Sequence, residues 1–431
     1  IIYQESINDI CQQVYGLSAV DSDEVRRAIS KKKREDIKKW EPVIFEAGES
    51  KGIPRDVTPT FWDTCNASAD YLFVAGHSLS YAYLAAQTVF LKANYAKEFY
   101  LATLKYAAKT EMSDIICEAR KLGVNVLPPH LIKSQQDFVF EGNDIRFGLQ
   151  HIKGIAGANL LKVDSFRREF TNKFDIFDFA KELGIPVNVL ETLVLCGALD
   201  WPSTPRVKLA MEARAYGLLR DTKSLHGIVS KLAKDFNYDL MDTLRALKDR
   251  KDEKGKPLLK ESVLATFRKK LAPHWDAYQN NMRHEAFALY IAERNLLGFS
   301  YSNTLFNLFA AKVEGLIPVA EVAEERKKGR EVSFVCFVDE VYKSVGRVSK
   351  KPYVRFTLSD ESGTVKGILS GQDKIDALID FNGTMPDLDA ITICHGTTTG
   401  DGGLFLSSLV IQDSPLELKR SPEEREAKKV A

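Results

Sequence analysis

Apolar and polar residues repeat with a helical period over roughly the first three hundred positions and with a two-fold period beyond Val332. The longest helical run is Gly76–Ala107, GHSLSYAYLAAQTVFLKANYAKEFYLATLKYA, with apolar residues recurring at Leu79, Tyr83, Ala86, Phe90 and Ala93. That spacing predicts a helix with Ser78 as its N-cap, and so wide an apolar band predicts burial on more than one side. Ahead of it, residues 1–60 hold two amphipathic helices around a basic segment, one of them capped by the cluster Asp21-Ser22-Asp23. Behind it, Met112–Leu122 predicts another helix, closed off by Pro128 and Pro129, which demand an extended chain. Phe138, Phe140, Ile145 and Phe147 alternate around Gly142-Asn143 and predict a short hairpin. Residues 201–298 are helical, with the polar stretch KDRKDEKGKPLLK (Lys248–Lys260) as a linker or exposed loop. From Val332 onward, VSFVCFVDEVYKSV, PYVRFTLSDES, TVKGILS, DAITICHGTTT and LFLSSLVIQ read as strands separated by turns such as Asp360-Glu361-Ser362-Gly363. A helix over Asp373–Ile379 falls between the third and fourth strands.

Composition narrows the setting. A chain of 431 residues exceeds one ordinary core and implies two to four domains. Hydrophobic residues at 45% and charged ones at 28% are usual for a globular protein. No apolar run reaches the length of a membrane span, and IIYQESINDI is not a signal peptide. Cys11, Cys65, Cys117, Cys196, Cys336 and Cys394 lie far apart without a CxxC pair, which argues against a zinc site or disulfide framework and for the reducing cytoplasm. The net charge of +1 hides any nucleic-acid affinity, which has to reside in local patches. The chain opens inside a helix without a Met, as a fragment would.

Four places carry candidate chemistry. Between Arg26 and Lys39, eight basic residues (among them Arg26, Arg27, Lys31, Lys32 and Lys33) face two acids, Glu35 and Asp36. Such a run is either a solvated face or a phosphate-binding surface. His77 and Tyr81 stand four apart and share a face near the positive end of the long helix, where a phosphate could sit; the alternative is a core helix with a packed His. Lys153-Gly154-Ile155-Ala156-Gly157, inside LQHIKGIAGANLLKV, resembles the turn of a helix-hairpin-helix, whose glycines let backbone amides approach a DNA phosphate. An ordinary helix–turn–helix closed by Gly is the competing reading. The five strands with their intervening helix have the order of an OB-fold, in which aromatics stacked on a basic groove bind single strands. Tyr342, Lys343, Arg347, Lys350, Lys351, Tyr353 and Arg355 supply that mixture around the first hairpin, unless they only pack and solubilise the barrel.

Taken together, these stretches resemble the C-terminal part of the C-family DNA polymerases, the family of the bacterial DNA polymerase III alpha subunits. YQESINDICQQVYGLSAVDSDEVRRAISKKKREDI is similar to the family's fingers segment, with Ile29-Ser30 in place of Met-Gly ahead of the lysines. YLFVAGHSLSYAYLAAQTVFLKANYAKEFYLATL resembles its Ser-His-Ser start and Tyr-Ala helix, with Ala75 and Gly76 where the family carries a basic residue and Ser. FDIFDFAKEL and VLETLVLCGALD (Val189–Asp200) resemble its link and a second, degenerate hairpin repeat, ERNLLGFS its next boundary, and FTLSDESGTVKGIL its OB signature. The resemblance implies a multi-domain, mainly α protein with a C-terminal all-β OB barrel. Its parts would be the fingers end over 1–127, a tandem helix-hairpin-helix region over 128–200, a helical connector over 201–310, the OB domain over 311–415 and a charged tail over 416–431. It further implies that Arg26, Arg27, Lys31, Lys32, Lys33, His77, Ser78 and Tyr81 face dNTP and template. Lys153 to Gly157 and the barrel residues would then face duplex and single-stranded DNA. In the family, two Mg2+ ions on palm aspartates perform nucleotidyl transfer; those ligands would lie upstream, so this chain alone is expected to be inactive. Sliding-clamp binding lacks a clear Gln-x-x-Leu-Phe copy here. The competing class is a stand-alone, non-catalytic DNA-binding accessory protein with the same two modules.

Overall fold

The computed structural model describes residues 3–30, 34–68, 73–108, 111–220, 223–251, 254–258, 260–346 and 349–413, with Pro415 and Lys419. Two compact units divide it, Ile1–Tyr95 and Ala96–Ala431. In the first, α1 (Gln4–Gln13), α2 (Ala19–Ser30), α3 (Arg34–Ser50) and α4 (Val57–Ser68) close a small core of Ile7, Cys11, Val25, Ile29, Ile44, Trp62 and Cys65. Ser18, not the acidic cluster, caps α2: its hydroxyl accepts the Asp21 amide at 3.1 Å, so Asp21 to Asp23 lie inside the first turns. The last element is α5 (Ala75–Asn94); the predicted run Gly76–Ala107 does not form one helix, because Tyr95 leaves the helical conformation (φ −134°, ψ 50°) and ends it. None of its residues is buried, contrary to the expected core helix; Leu79, Tyr83 and Phe90 are 73%, 66% and 57% exposed.

The second unit begins with α6 (Ala96–Tyr106) and α7 (Met112–Lys121), which the sequence reading assigns to the fingers end. The reason is packing: Tyr100, Leu104, Met112 and Ile116 bury into one continuous core with Phe138, Phe147, Leu193, Leu209 and Phe299. Short strands β1 (Val126–Leu127), β2 (Val139–Glu141) and β3 (Asp144–Arg146) form a sheet, with β1 parallel and β2 antiparallel to β3. Arg146 pins it, donating to Glu141 and, at 2.7 Å, to the Pro128 carbonyl. Helices α8 (Ala158–Ser165), α9 (Lys173–Glu182), α10 (Val187–Leu195), α11 (Arg206–Arg220), α12 (Lys223–Leu232), α13 (Leu240–Asp249), α14 (Glu261–Arg283) and α15 (Glu285–Leu297) complete the layer. Hairpin region and connector thus share one core and are not separate bodies. An ion cluster spans it, with buried Lys173 bonded to buried Glu212 at 2.7 Å and Lys208 bonded to Asp239 at 2.5 Å.

After α16 (Leu305–Ala310) and α17 (Val319–Glu324) come the barrel strands β4 (Glu331–Val345), β5 (Pro352–Ser359) and β6 (Thr364–Ser370). Helix α18 (Gln372–Asn382) precedes β7 (Ile391–Thr398) and β8 (Gly403–Ile411). The barrel closes in the order β4-β5-β6-β8-β7, with β6 and β8 parallel and a helix between third and fourth strands, the OB arrangement predicted. Phe334, Cys336, Phe356, Leu358 and Leu404 fill the interior. The outward Val335 and Phe337 are buried too, under Tyr290 of α15 and Leu305 and Phe309 of α16. A buried bond from Tyr290 to the Glu361 carboxylate, which also accepts the Leu305 amide at 2.9 Å, fixes barrel to connector.

Candidate nucleic-acid interface

In the first unit, Arg26 is largely committed to the fold. Its guanidinium donates to Asp23 at 2.7 Å and to Gln4 of α1 at 3.0 Å. Arg27 also reaches Asp23, at 2.7 Å, but its side chain is 63% exposed. The two guanidinium groups hold the Asp23 carboxyl below its usual range, the Arg26 hydrogen bond foremost. Arg27, Lys39 and Trp40 line a groove of about 530 Å³ shared with Glu24 and Asp36. Lys31, Lys32 and Lys33 lie outside the described residues.

At α5, His77 and Tyr81 share a face as predicted, with ring centroids 4.4 Å apart and both rings exposed. Ser78 does not cap the helix. The helix starts at Ala75, placing Ser78 one turn inside, and the Glu5 carboxylate accepts the Ala75 amide at 2.9 Å. A carboxylate therefore already occupies this positive helix end, which removes the reason to place a phosphate there.

The hairpin of the second unit follows the sequence closely. A 3-10 turn, Leu149–His151, leads into Gly154 (φ +92°) and Gly157 (φ +53°), the residue before α8. Ile155 is fully buried while Gly154, Ala156 and Gly157 are exposed, so Ile155 anchors the turn and cannot itself touch DNA. A Cβ at Gly154 or Gly157 would meet nothing within 4 Å: the glycines are required by the backbone and leave the amides open to approach. The Lys153 amide is spent on the Leu296 carbonyl at 2.9 Å, whereas its side chain is exposed.

Val189–Asp200, read from the sequence as a second hairpin repeat, does not form an open turn. Around Val189–Asp200, Gly197 is roofed by the Arg206 guanidinium, 2.7 Å from where a Cβ would stand, and Ala198 and Leu199 are buried. Arg206 is held there by Asp200 at 2.6 Å and Glu293 at 2.9 Å. A turn resembling the first joins α9 to α10 instead, with exposed Gly184 (φ +65°), buried Ile185 and exposed Pro186. Lys162 donates to the Gly184 carbonyl at 2.8 Å and brings a cation to it. The signal was the repeated Gly-Ile pair, masked by Pro186 standing where Gly154-Ile155 is followed by Ala156.

On the barrel, Tyr342 is 46% exposed and pairs in register with Arg355, whose guanidinium lies 4.9 Å from the Tyr342 ring centre. Tyr353 pairs with Ser344 and is half-buried; Lys343, Lys350 and Lys351 are exposed, and Arg347 lies outside the described residues. Among the described residues no group of three or more His, Cys, Asp or Glu side chains could hold a metal ion, so the residues present do not fit a catalytic metal pair. Nor does any described helix have the length and apolarity to cross a membrane.

Residues 1–52 match the family described as the bacterial DNA polymerase III alpha subunit finger domain, and residues 123–209 match the helix-hairpin-helix motif. The chain is 34% identical over 204 residues to the DNA polymerase III subunit alpha of Deinococcus radiodurans, covering 46% of this chain and 15% of that protein. It is 35% identical over 205 residues to the same subunit of Thermus aquaticus (46% and 17%) and 31% identical over 218 residues to that of Aquifex aeolicus (48% and 18%). The matched segment thus spans less than a fifth of the length of these relatives, and over that segment the chain is similar to part of their DNA polymerase III alpha subunits.

Proposed function

We propose that this chain supplies the end of the fingers, the hairpin region and the single-strand module of a DNA-directed DNA polymerase. One observation carries the reading: a finger-domain match over 1–52 precedes a helix-hairpin-helix match over 123–209 and a closed five-stranded barrel. A stand-alone DNA-binding protein could use the last two but has no use for the first.

In this reading Arg27 and Lys39 on the fingers groove, with Lys31, Lys32 and Lys33, neutralise triphosphate or template charge. Arg26 acts through the fold by tying α2 to α1. The Gly154 hairpin and its counterpart at Gly184 take duplex backbone without regard to sequence, and the barrel takes the unpaired strand. Exposed apolar α5 is the surface we assign to the remainder of the polymerase. Divalent metal, Mg2+ by analogy, would supply the nucleotidyl-transfer chemistry on ligands other than the residues described here. The chain by itself therefore binds DNA but does not extend a primer, and the enzyme works in the cytoplasm, where dNTPs are made.

Anisotropy titrations of the 431-residue chain with labelled duplex, dT15 and primer–template test the binding half. We expect salt-sensitive binding to all three, with a log–log slope of roughly −0.7 to −0.9 per phosphate contact. Absence of DNA binding at low salt would refute it. Primer extension by the purified chain with Mg2+ or Mn2+ tests the other half, and incorporation surviving stringent purification refutes the assignment of catalysis to other residues.

A further inference from the structure

The strand registers of the barrel place four side chains in one row on its outer wall. Tyr342 of β4 pairs with Arg355 of β5, Arg355 with Ile368 of β6, and Ile368 with Phe405 of β8. Paired residues point to the same side of a sheet. Burial agrees: Val354, Phe356, Leu369, Leu404 and Leu406, which alternate with them, all face the interior. Phe405 is 54% exposed, a large apolar cost in water on a strand whose other outward neighbours are Gly403 and Ser407.

Charge sets the side of this row on which the phosphates of a bound strand lie. Along β5, the end near Pro352 carries Lys343, Lys350 and Lys351. The other end, at Ser359, opens into a cleft of about 820 Å³ lined by Asp114, Asp339 and Asp389 against Lys153 and Arg294. Arg294 is already engaged over the Phe337 ring, 3.6 Å from its centre. With three carboxylates against two cations, that end favours the phosphates of an unpaired strand less than the lysine-bearing end does. The next residue of the row beyond Phe405 is Thr397 on β7, followed by the acid Glu331, so the row has an electrostatic stop as well.

Resting on the single-strand reading above, we propose that Phe405 is a second stacking platform for unpaired bases, so that single-stranded DNA runs across the strands from Tyr342 over Arg355 and Ile368 to Phe405. Three inter-strand steps make a path of ~14 Å, room for about three or four stacked nucleotides. Exposed Lys366, adjacent to Ile368 on the outer face of β6, reaches the backbone beside it.

The test is anisotropy of the full chain with labelled dT12 and a 20-bp duplex, for wild type, Tyr342→Ala, Phe405→Ala and Phe405→Trp, with a melting curve for each. Phe405→Ala is expected to weaken dT12 binding roughly 5- to 150-fold, Phe405→Trp to hold it within about threefold, and neither to move duplex affinity. If Tyr342→Ala weakens dT12 binding and Phe405→Ala does not, the platform ends short of β8 and the inference falls while the single-strand reading stands. If neither has an effect, the single-strand reading itself falls. Equal losses in Phe405→Ala and Phe405→Trp, with unchanged melting, overturn stacking as the role of the ring.

Discussion

Replacing Gly154 by Val separates a DNA-contacting hairpin from a merely structural turn. At φ +92° an L side chain is strained, and a β-branched one more so. Because a Cβ there would meet nothing within 4 Å, no clash adds to the backbone term. The cost to stability is then about 1–3 kcal/mol, a drop in Tm of roughly 1–4 °C for a unit as large as Ala96–Ala431. To escape the strain the peptide rotates and its amide turns away from the open side. Losing one hydrogen bond to a phosphate costs about 1.5–3 kcal/mol, so duplex affinity should fall roughly 10- to 150-fold. The log–log salt dependence should stay nearly unchanged, because the lost donor is a neutral amide and no cation is removed. Affinity for dT15 should stay within about twofold, since the barrel wall is untouched. Anisotropy titrations at two salt concentrations, beside a thermal melt, report all three quantities. A lowered Tm with unchanged duplex affinity would refute the phosphate role and leave Gly154 as a turn residue. Equal loss of duplex and single-strand binding would mean one composite surface.

Four further outcomes are expected. On the polymerase function proposed above, Arg27→Ala in the complete enzyme should slow incorporation or raise the nucleotide KM about ten- to a hundred-fold, whereas Arg26→Ala should chiefly lower Tm, as thermal melts and steady-state kinetics will show. Burial pushes the Glu212 carboxyl up to about 7 from 4.5. The folded state holds that proton more tightly than the unfolded one, so this group's contribution to stability falls as pH rises from about 4.5 to about 7, by at most about 3 kcal/mol; Glu212→Gln should flatten that part of the Tm–pH curve. Lys173→Met strands the Glu212 carboxylate and should cost about 3–5 kcal/mol at pH 8 and clearly less at pH 5.5, measurable by denaturant titration at both pH values. Glu361→Ala leaves the Tyr290 hydroxyl and Leu305 amide unpaired under the barrel, costing about 2–3 kcal/mol, and should open the segment between α16 and β4 to limited proteolysis.

The period of apolar residues by itself determined the helix at α5, the β2–β3 hairpin, the change to strands near Val332 and the helix between the third and fourth barrel strands. These are local consequences of side-chain spacing and turn chemistry. The Gly154–Gly157 turn was legible for the same reason, since a left-handed backbone admits few residues besides Gly. What only the tertiary structure decided depends on partners distant in sequence. An apolar band on α5 predicts a buried helix, yet none of its described residues is buried. Its N-terminus is filled by Glu5, seventy residues away, so Ser78 has no amide to cap. Gly197 has the composition of a hairpin but lies beneath Arg206, which Glu293 holds in place from α15. Nor does any local pattern mark Phe405 as the neighbour of Ile368. That pairing follows from the closure of the barrel, where a parallel β6–β8 contact sets the register and so chooses which exposed rings form one surface.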